Sequence, residues 1–221
     1  MHDSSDRRIV TCGVDHRVCY QDLEHDVIVR YSAHDAAVHK LCLDPFMHDV
    51  FYSCSEDGTV KWFDLRQKTL GTLIRVSCTS SIGDRLYSMS LDPMSGYKLV
   101  VGGEGSRVSE FDIRLCKSPS RFYEPSDQIP WFWGVTSVAH SSDGRRLAVS
   151  FGGTESQIHL LDLYDPSPEV RADSIIFDQN SSPEEIPAPK KYRELNGHQN
   201  DRTVKEVTFI GPNSEIVASG R

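Results

Sequence analysis

Three features of the chain predict an all-β fold of repeated four-stranded blades, a β-propeller. The first is a sixteen-residue stretch, Phe51 to Arg66, reading F-Y-S-C-S-E-D-G-T-V-K-W-F-D-L-R, which holds strand, turn, strand and a terminal charge. The second is an aspartate that closes a strand at Asp22, Asp64, Asp112 and Asp162, 42, 48 and 50 residues apart. Such spacing suits blades of about 40 to 45 residues joined by loops of variable length. The third is the tripeptide Leu-Asp-Pro, which ends a strand in a proline turn at both 43–45 and 91–93.

Within the organising stretch, Phe51, Ser53 and Ser55 alternate with Tyr52, Cys54 and Glu56, the period of a strand packed between two layers. Asp57-Gly58 reads as a two-residue hairpin turn of the primed type, because glycine tolerates positive φ. A second strand follows through Val60, Trp62 and Phe63 and leaves at Asp64-Leu65-Arg66. Repeats are then expected at about 9–30, 34–75, 82–124, 135–165 and 195–221. The first starts in mid-blade, with Asp15 where the second has Asp57. The second opens near His34 and enters through V-H-K-L-C-L-D-P, and the third echoes this opening as L-Y-S-M-S-L-D-P. The fourth reads V-T-S-V-A-H-S-S-D-G, L-A-V-S-F and I-H-L-L-D-L. Residues 166–193 carry Pro166, Pro168, Pro183, Pro187 and Pro189 and show no strand period, so they are expected to form a flexible Pro-rich insertion. The fifth repeat begins at Asn196-Gly197-His198 and stops after I-V-A-S-G-R. About three blades plus two half blades make an incomplete ring, expected to be a fragment of a seven-bladed parent, since a propeller removes its sheet edges only by closing. A five-bladed ring sewn from the two halves is the alternative.

A net charge of -8 and a pI near 5.6 argue against a nucleic-acid surface, which needs a clustered basic face. No stretch approaches the 18 apolar residues of a membrane span, and Met1 to Arg8 lacks the apolar run of a secretory signal. The six cysteines contain no C-x-x-C pair and read as buried thiols of a reducing compartment. An intracellular location follows, in nucleus or cytoplasm.

Several residues resemble catalytic or ligand-binding groups. His34, Asp57 and a serine at Ser53 or Ser55 have the residue types of a Ser-His-Asp triad. Gly102-Gly103-Glu104-Gly105 suggests a phosphate loop, but a strand rather than a helix follows and no Lys-Ser/Thr is present, so a Gly-rich hairpin is expected. The histidines show no metal-ligand spacing. No catalytic residue, cofactor or metal is expected. Trp131-Phe132-Trp133 cannot all face one side of a strand, which makes them candidates for partner contact.

The turn aspartates, the strand ends at Asp64 and Asp112, and Gly197-His198 resemble WD40 repeats. In that family a histidine before the first strand, the turn aspartate and a second-strand hydroxyl form a buried hydrogen-bonded set with a third-strand tryptophan. The resemblance assigns His34, Ser53 and Asp57 to this structural set, with Phe63 at the tryptophan position. Both Phe63-Asp64-Leu65-Arg66 and Phe111-Asp112-Ile113-Arg114 resemble the W-D-x-R boxes of substrate receptors for cullin 4 RING ubiquitin ligases. Within that family the likeness runs first to the adaptor-associated factor numbered eight, ahead of number six and the WD and tetratricopeptide repeat relative. It implies a non-enzymatic receptor that presents Asp64, Arg66, Asp112 and Arg114 to the adaptor, damage-specific DNA-binding protein 1, and binds an unknown protein substrate elsewhere. The arginine position holds Glu24 in the first repeat and Tyr164 in the fourth.

Overall fold

The computed structural model describes residues 7–67, 69–76, 85–115, 118–124, 134–153, 157–164, 190–196 and 206–220. They form seventeen strands in five antiparallel sheets and no helix. The first sheet has three strands, β1 (Arg8–Cys12), β2 (Arg17–Asp22) and β3 (Val27–Ser32). The second comprises β4 (Val38–Leu43), β5 (Val50–Ser55), β6 (Thr59–Asp64) and β7 (Thr69–Arg75). The third comprises β8 (Leu86–Leu91), β9 (Lys98–Gly103), β10 (Val108–Asp112) and β11 (Arg121–Tyr123). The fourth comprises β12 (Val135–His140), β13 (Arg146–Phe151), β14 (Ile158–Asp162) and β15 (Lys190–Leu195). The fifth has β16 (Val207–Ile210) and β17 (Ile216–Ser219). The architecture is an incomplete propeller.

Two differences from the sequence reading concern strand supply. The first repeat contributes three strands rather than half a blade. Lys190–Leu195, whose first four residues fall in the segment expected as an insertion, instead pair with β14 from Ile158 to Asp162 and complete the fourth sheet. The remainder of that segment lies outside the described residues.

Each sheet is too thin to have a core of its own, so burial arises between sheets. Phe51 and Phe63 join Val18 and Val38 between the first and second sheets, with the two phenyl rings stacked 4.5 Å apart. Tyr52, Cys54 and Val60 point the other way and pack with Met89, Leu99 and Phe111 of the third. Val100, Val138, Leu147 and Phe151 fill the next interface, and Ala148, Leu160 and Val207 the last. Hence every residue of β5 is buried: its two faces serve two different clusters.

Near the axis, side by side, run β4, β8, β12 and β16, the first strands of their sheets. Serine hydroxyls accept amide hydrogens across these contacts: Ser88 Oγ from Val138 N at 3.1 Å, Ser90 Oγ from His140 N at 3.1 Å, and Ser137 Oγ from Val207 N at 3.0 Å. The arc curls far enough for Lys40 Nζ of β4 to reach Glu206 Oε1, just before β16, at 2.6 Å.

The glycine run is part of this close packing. Gly134, at φ +59°, sits so close to Gly103 that an added Cβ would strike the Gly103 carbonyl oxygen, and Val135 N donates to Gly105 O at 3.1 Å. The Gly-rich hairpin therefore brings the third and fourth sheets together. Replacing Gly134 by Ala adds left-handed strain and a backbone clash, and is expected to cost about 2 kcal/mol or more in urea unfolding.

His140 titrates in the same interface. Its Nδ1 lies 2.9 Å from Ser90 Oγ, while Nε2 is buried with no hydrogen-bond partner. Burial pushes its pKa down to about 4, against an opposing influence of Asp92, with Arg121 and Lys98 adding to the depression. Because the unfolded ring binds its proton more readily than the folded one, stability is full above the ordinary histidine value and falls as the pH drops towards 4. The expected slope is up to about 1.4 kcal/mol per pH unit, and His140→Gln flattens it in denaturant midpoints measured across that window.

Candidate functional site

Of the three groups of residues singled out by the sequence, the structure places two: the His34 set at one end of the second sheet, and the Asp-x-Arg turns at the other end of the second and third. At one end His34 Nδ1 lies 2.8 Å from Asp57 Oδ2, and His34 Nε2 lies 2.6 Å from Ser53 Oγ. This pattern assigns Nδ1–H as donor to the carboxylate and Ser53 as donor to Nε2. Thr59, which the sequence reading missed, donates its hydroxyl to Asp57 Oδ1 at 2.6 Å. It stands where the D-G-T spacing returns the chain to the sheet, so that spacing was its available signal. The turn differs from the primed two-residue form: Gly58 N donates to Ser55 O at 3.1 Å and Gly58 takes φ 75° at the end of a longer loop.

Burial pushes the His34 pKa down, with Asp57 opposing, so the ring is neutral. Burial also pushes the Asp57 carboxyl up, but hydrogen bonds from Thr59, the Asp35 amide and His34 hold it below its ordinary range. The geometry is that of a Ser-His-Asp relay, yet Ser53 is 0% exposed, so no substrate reaches its oxygen. The set braces the entry to β4 against the β5–β6 turn. Ser53→Ala orphans a buried ring nitrogen and is expected to cost about 1–3 kcal/mol of unfolding free energy, read from urea titration.

The other end carries the turns after the third-strand aspartates. Asp64 Oδ1 accepts the Arg66 amide at 3.0 Å, while Arg66 Nε and Nη2 return to Oδ1 and Oδ2 at 3.0 and 2.8 Å. Asp112 and Arg114 repeat this geometry at 3.0, 2.9 and 2.5 Å. The hydrogen bonds from Arg66 and Arg114 hold the Asp64 and Asp112 carboxyls below the ordinary range. Both arginines remain more than half exposed, at 57% and 62%. The Arg114 guanidinium also lies over the Tyr97 ring, 3.6 Å from its centroid. In the fourth sheet Asp162 Oδ1 accepts the Tyr164 amide, at 2.9 Å, and an exposed phenol stands at this position.

The β4–β5 and β8–β9 connections emerge at the same end, because Val50 pairs with Asp64 and Lys98 with Asp112. Asp44 Oδ1 accepts the amides of Phe46 and Met47, both at 2.9 Å, which explains the first Leu-Asp-Pro repeat and turns two large apolar side chains outward. Met94 and Leu115 are exposed there as well. A shallow cleft of about 680 Å³ adjoins them, lined by Met94, Gly144, Arg145, Asp162 and Tyr164 among others. Exposed cations ringed by apolar groups are the composition of a protein-binding surface. The sequence located the arginines but missed the apolar ring, whose residues sit in loops with no period. Trp131, Phe132 and Trp133 lie outside the described residues. Among the described residues no cluster of His, Cys, Asp or Glu is arranged to hold a metal, and Cys12, Cys19, Cys42 and Cys54 are free thiols. No helix among them is long and apolar enough to cross a membrane.

The fold and its repeat define a WD40-type propeller: the WD domain, G-beta repeat family matches residues 26–64, from the end of the β2–β3 turn to the end of β6. The chain is similar to DDB1- and CUL4-associated factor 6 of mouse and human, 28% identical over 204 residues in each. Those matches cover 78% of this chain but 22% and 23% of the relatives. It is also similar to human WD and tetratricopeptide repeats protein 1, 26% identical over 198 residues, 72% of this chain and 29% of that protein. The chain thus spans less than a third of the length of the relatives it matches. These similarities support the group-level resemblance drawn from the motifs and do not support its choice of the member numbered eight.

Proposed function

We propose that this chain is a non-enzymatic interaction module of an intracellular substrate receptor, docking on the adaptor DDB1, damage-specific DNA-binding protein 1, of a cullin 4 RING ubiquitin ligase. The observation that carries the reading is the duplicated Asp-x-Arg turn. Two neighbouring sheets present a guanidinium in one geometry, at one end, beside exposed Phe46, Met47 and Met94. The relatives add support, since the name of factor 6 ties that protein to DDB1 and CUL4. A guanidinium suits the task, because its planar fork pairs with carboxylates or carbonyls at a modest desolvation cost. The target protein would bind elsewhere, at the opposite end where the His34 set anchors the loops.

The competing reading is a WD40 scaffold without a ligase link. It draws on the same pairs, because each arginine closes its own turn and would then serve as a structural brace. The double variant Arg66→Asp and Arg114→Asp in the full chain separates the two. Receptor docking predicts a loss of DDB1 affinity of roughly thirtyfold or more, a hot-spot effect, with unchanged melting temperature. A brace predicts a lower melting temperature with no DDB1 binding to lose.

A further inference from the structure

The first sheet has no arginine at the docking position, since Glu24 stands two residues after Asp22. The turn nevertheless has the same construction. Asp22 Oδ1 accepts the amides of Glu24 at 2.9 Å and His25 at 3.3 Å, and His25 Nδ1 lies 2.9 Å from Asp22 Oδ2. The imidazole thus rests on the carboxylate oxygen that takes Nη2 of the arginine in the second and third sheets. Its side chain is 69% exposed. We propose that His25 is a third cationic contact of the docking face, in line with Arg66 and Arg114, and that it makes adaptor binding stronger when protonated. This rests on the adaptor reading above.

Continuity with the neighbouring sheet supports the alignment. Arg8 Nη1 at the start of β1 pairs with Asp49 Oδ1 at 2.6 Å, in the β4–β5 connection. Asp49 in turn contributes to the field that favours the charged form of Arg66. Arg8 is the β1 partner of Asp22, and Asp49 O accepts the Leu65 amide at 3.0 Å, so one ion pair ties the strand end that carries Asp22 to the connection beside the Arg66 turn.

The chemistry follows from the tautomers. With Nδ1–H donated to Asp22, a neutral ring offers Nε2 only as an acceptor. Protonation turns Nε2 into a donor, matching the outward N–H groups of the guanidiniums and fitting a carboxylate or carbonyl on the partner. Among the described residues, the charged groups facing the ring are Asp22 and Glu24 of its own turn and Arg7 before β1, which is itself paired with Glu24. The hydrogen bond to Asp22 raises the His25 pKa, with Glu24 adding and Arg7 opposing. The cationic contact is therefore present at low pH and lost as the pH rises through the folded value.

The test is DDB1 affinity of the full chain at about pH 6 and about pH 8, for the parent, His25→Ala and His25→Arg. The parent is expected to bind about two- to fivefold more tightly at the lower pH, the size of one exposed ion pair. His25→Arg should bind tightly at both values and His25→Ala weakly at both, each without the pH dependence. If His25→Ala tracks the parent at both pH values, or if either variant keeps the pH dependence, the inference is overturned while the two-arginine docking face stands. If the parent fails to bind DDB1 at either pH, the adaptor reading fails and this inference with it.

Discussion

A carboxylate tied to the backbone two residues ahead is the interaction on which the functional face depends. Asp22, Asp64, Asp112 and Asp162 each accept the amide at the second following position, at 2.9, 3.0, 3.0 and 2.9 Å. That bond ends the strand and fixes the turn, leaving the side chain at the second position outside the fold's requirements. Glu24, Arg66, Arg114 and Tyr164 can therefore differ completely while the backbone beneath them stays constant. A repeat with this property is a frame for display: the recurring carboxylate is held within the turn and the variable side chain faces solvent.

The frame is rigid because its burial is shared between sheets. An inner sheet cannot unfold alone without opening two interfaces, since β5 commits Phe51 to one cluster and Tyr52 and Cys54 to the next. At the axis the strands approach too closely for large side chains on every residue. Serine hydroxyls and glycines accordingly take places that an ordinary β-sandwich would give to valine or isoleucine. Each amide satisfied by a neighbouring serine is worth only about 1 kcal/mol, but leaving it unmade in that dry interior would cost more.

The strands near the axis were legible in the sequence, and those at the rim were not. A strand buried on both faces carries dense apolar patterning, as in Leu99, Val100 and Val101, and the aspartates that close the third strands recur at blade-like spacing. An outer strand pairs on one side only, so Lys190–Leu195 shows little alternation and follows a Pro-rich stretch, which is why its place in the fourth sheet was missed. The same logic applies to the site. Arg66 and Arg114 stood out because they repeat at one offset from a strand end. His25 did not, because the turn in the first sheet uses the third position after its aspartate rather than the second. Thr59 was hidden for another reason: a threonine opening a strand is ordinary, so the D-G-T spacing was a weak signal for a hydroxyl that donates to Asp57.

Pairing each arginine with its own aspartate has a cost and a consequence for any partner. The local carboxylate cancels much of the guanidinium's charge, so long-range attraction by Arg66 or Arg114 is weak, in keeping with the net negative charge of the chain. What remains is orientation. The bidentate clamp fixes a side chain that would otherwise lose rotamer freedom on binding, and it leaves the remaining N–H donors directed outward. Such a surface favours a partner that offers well-placed acceptors and apolar contacts over one that is merely acidic. The exposed Phe46, Met47, Met94 and Leu115 around the two clamps are consistent with that balance: the apolar ring supplies desolvated area, and the clamped guanidiniums fix where it docks.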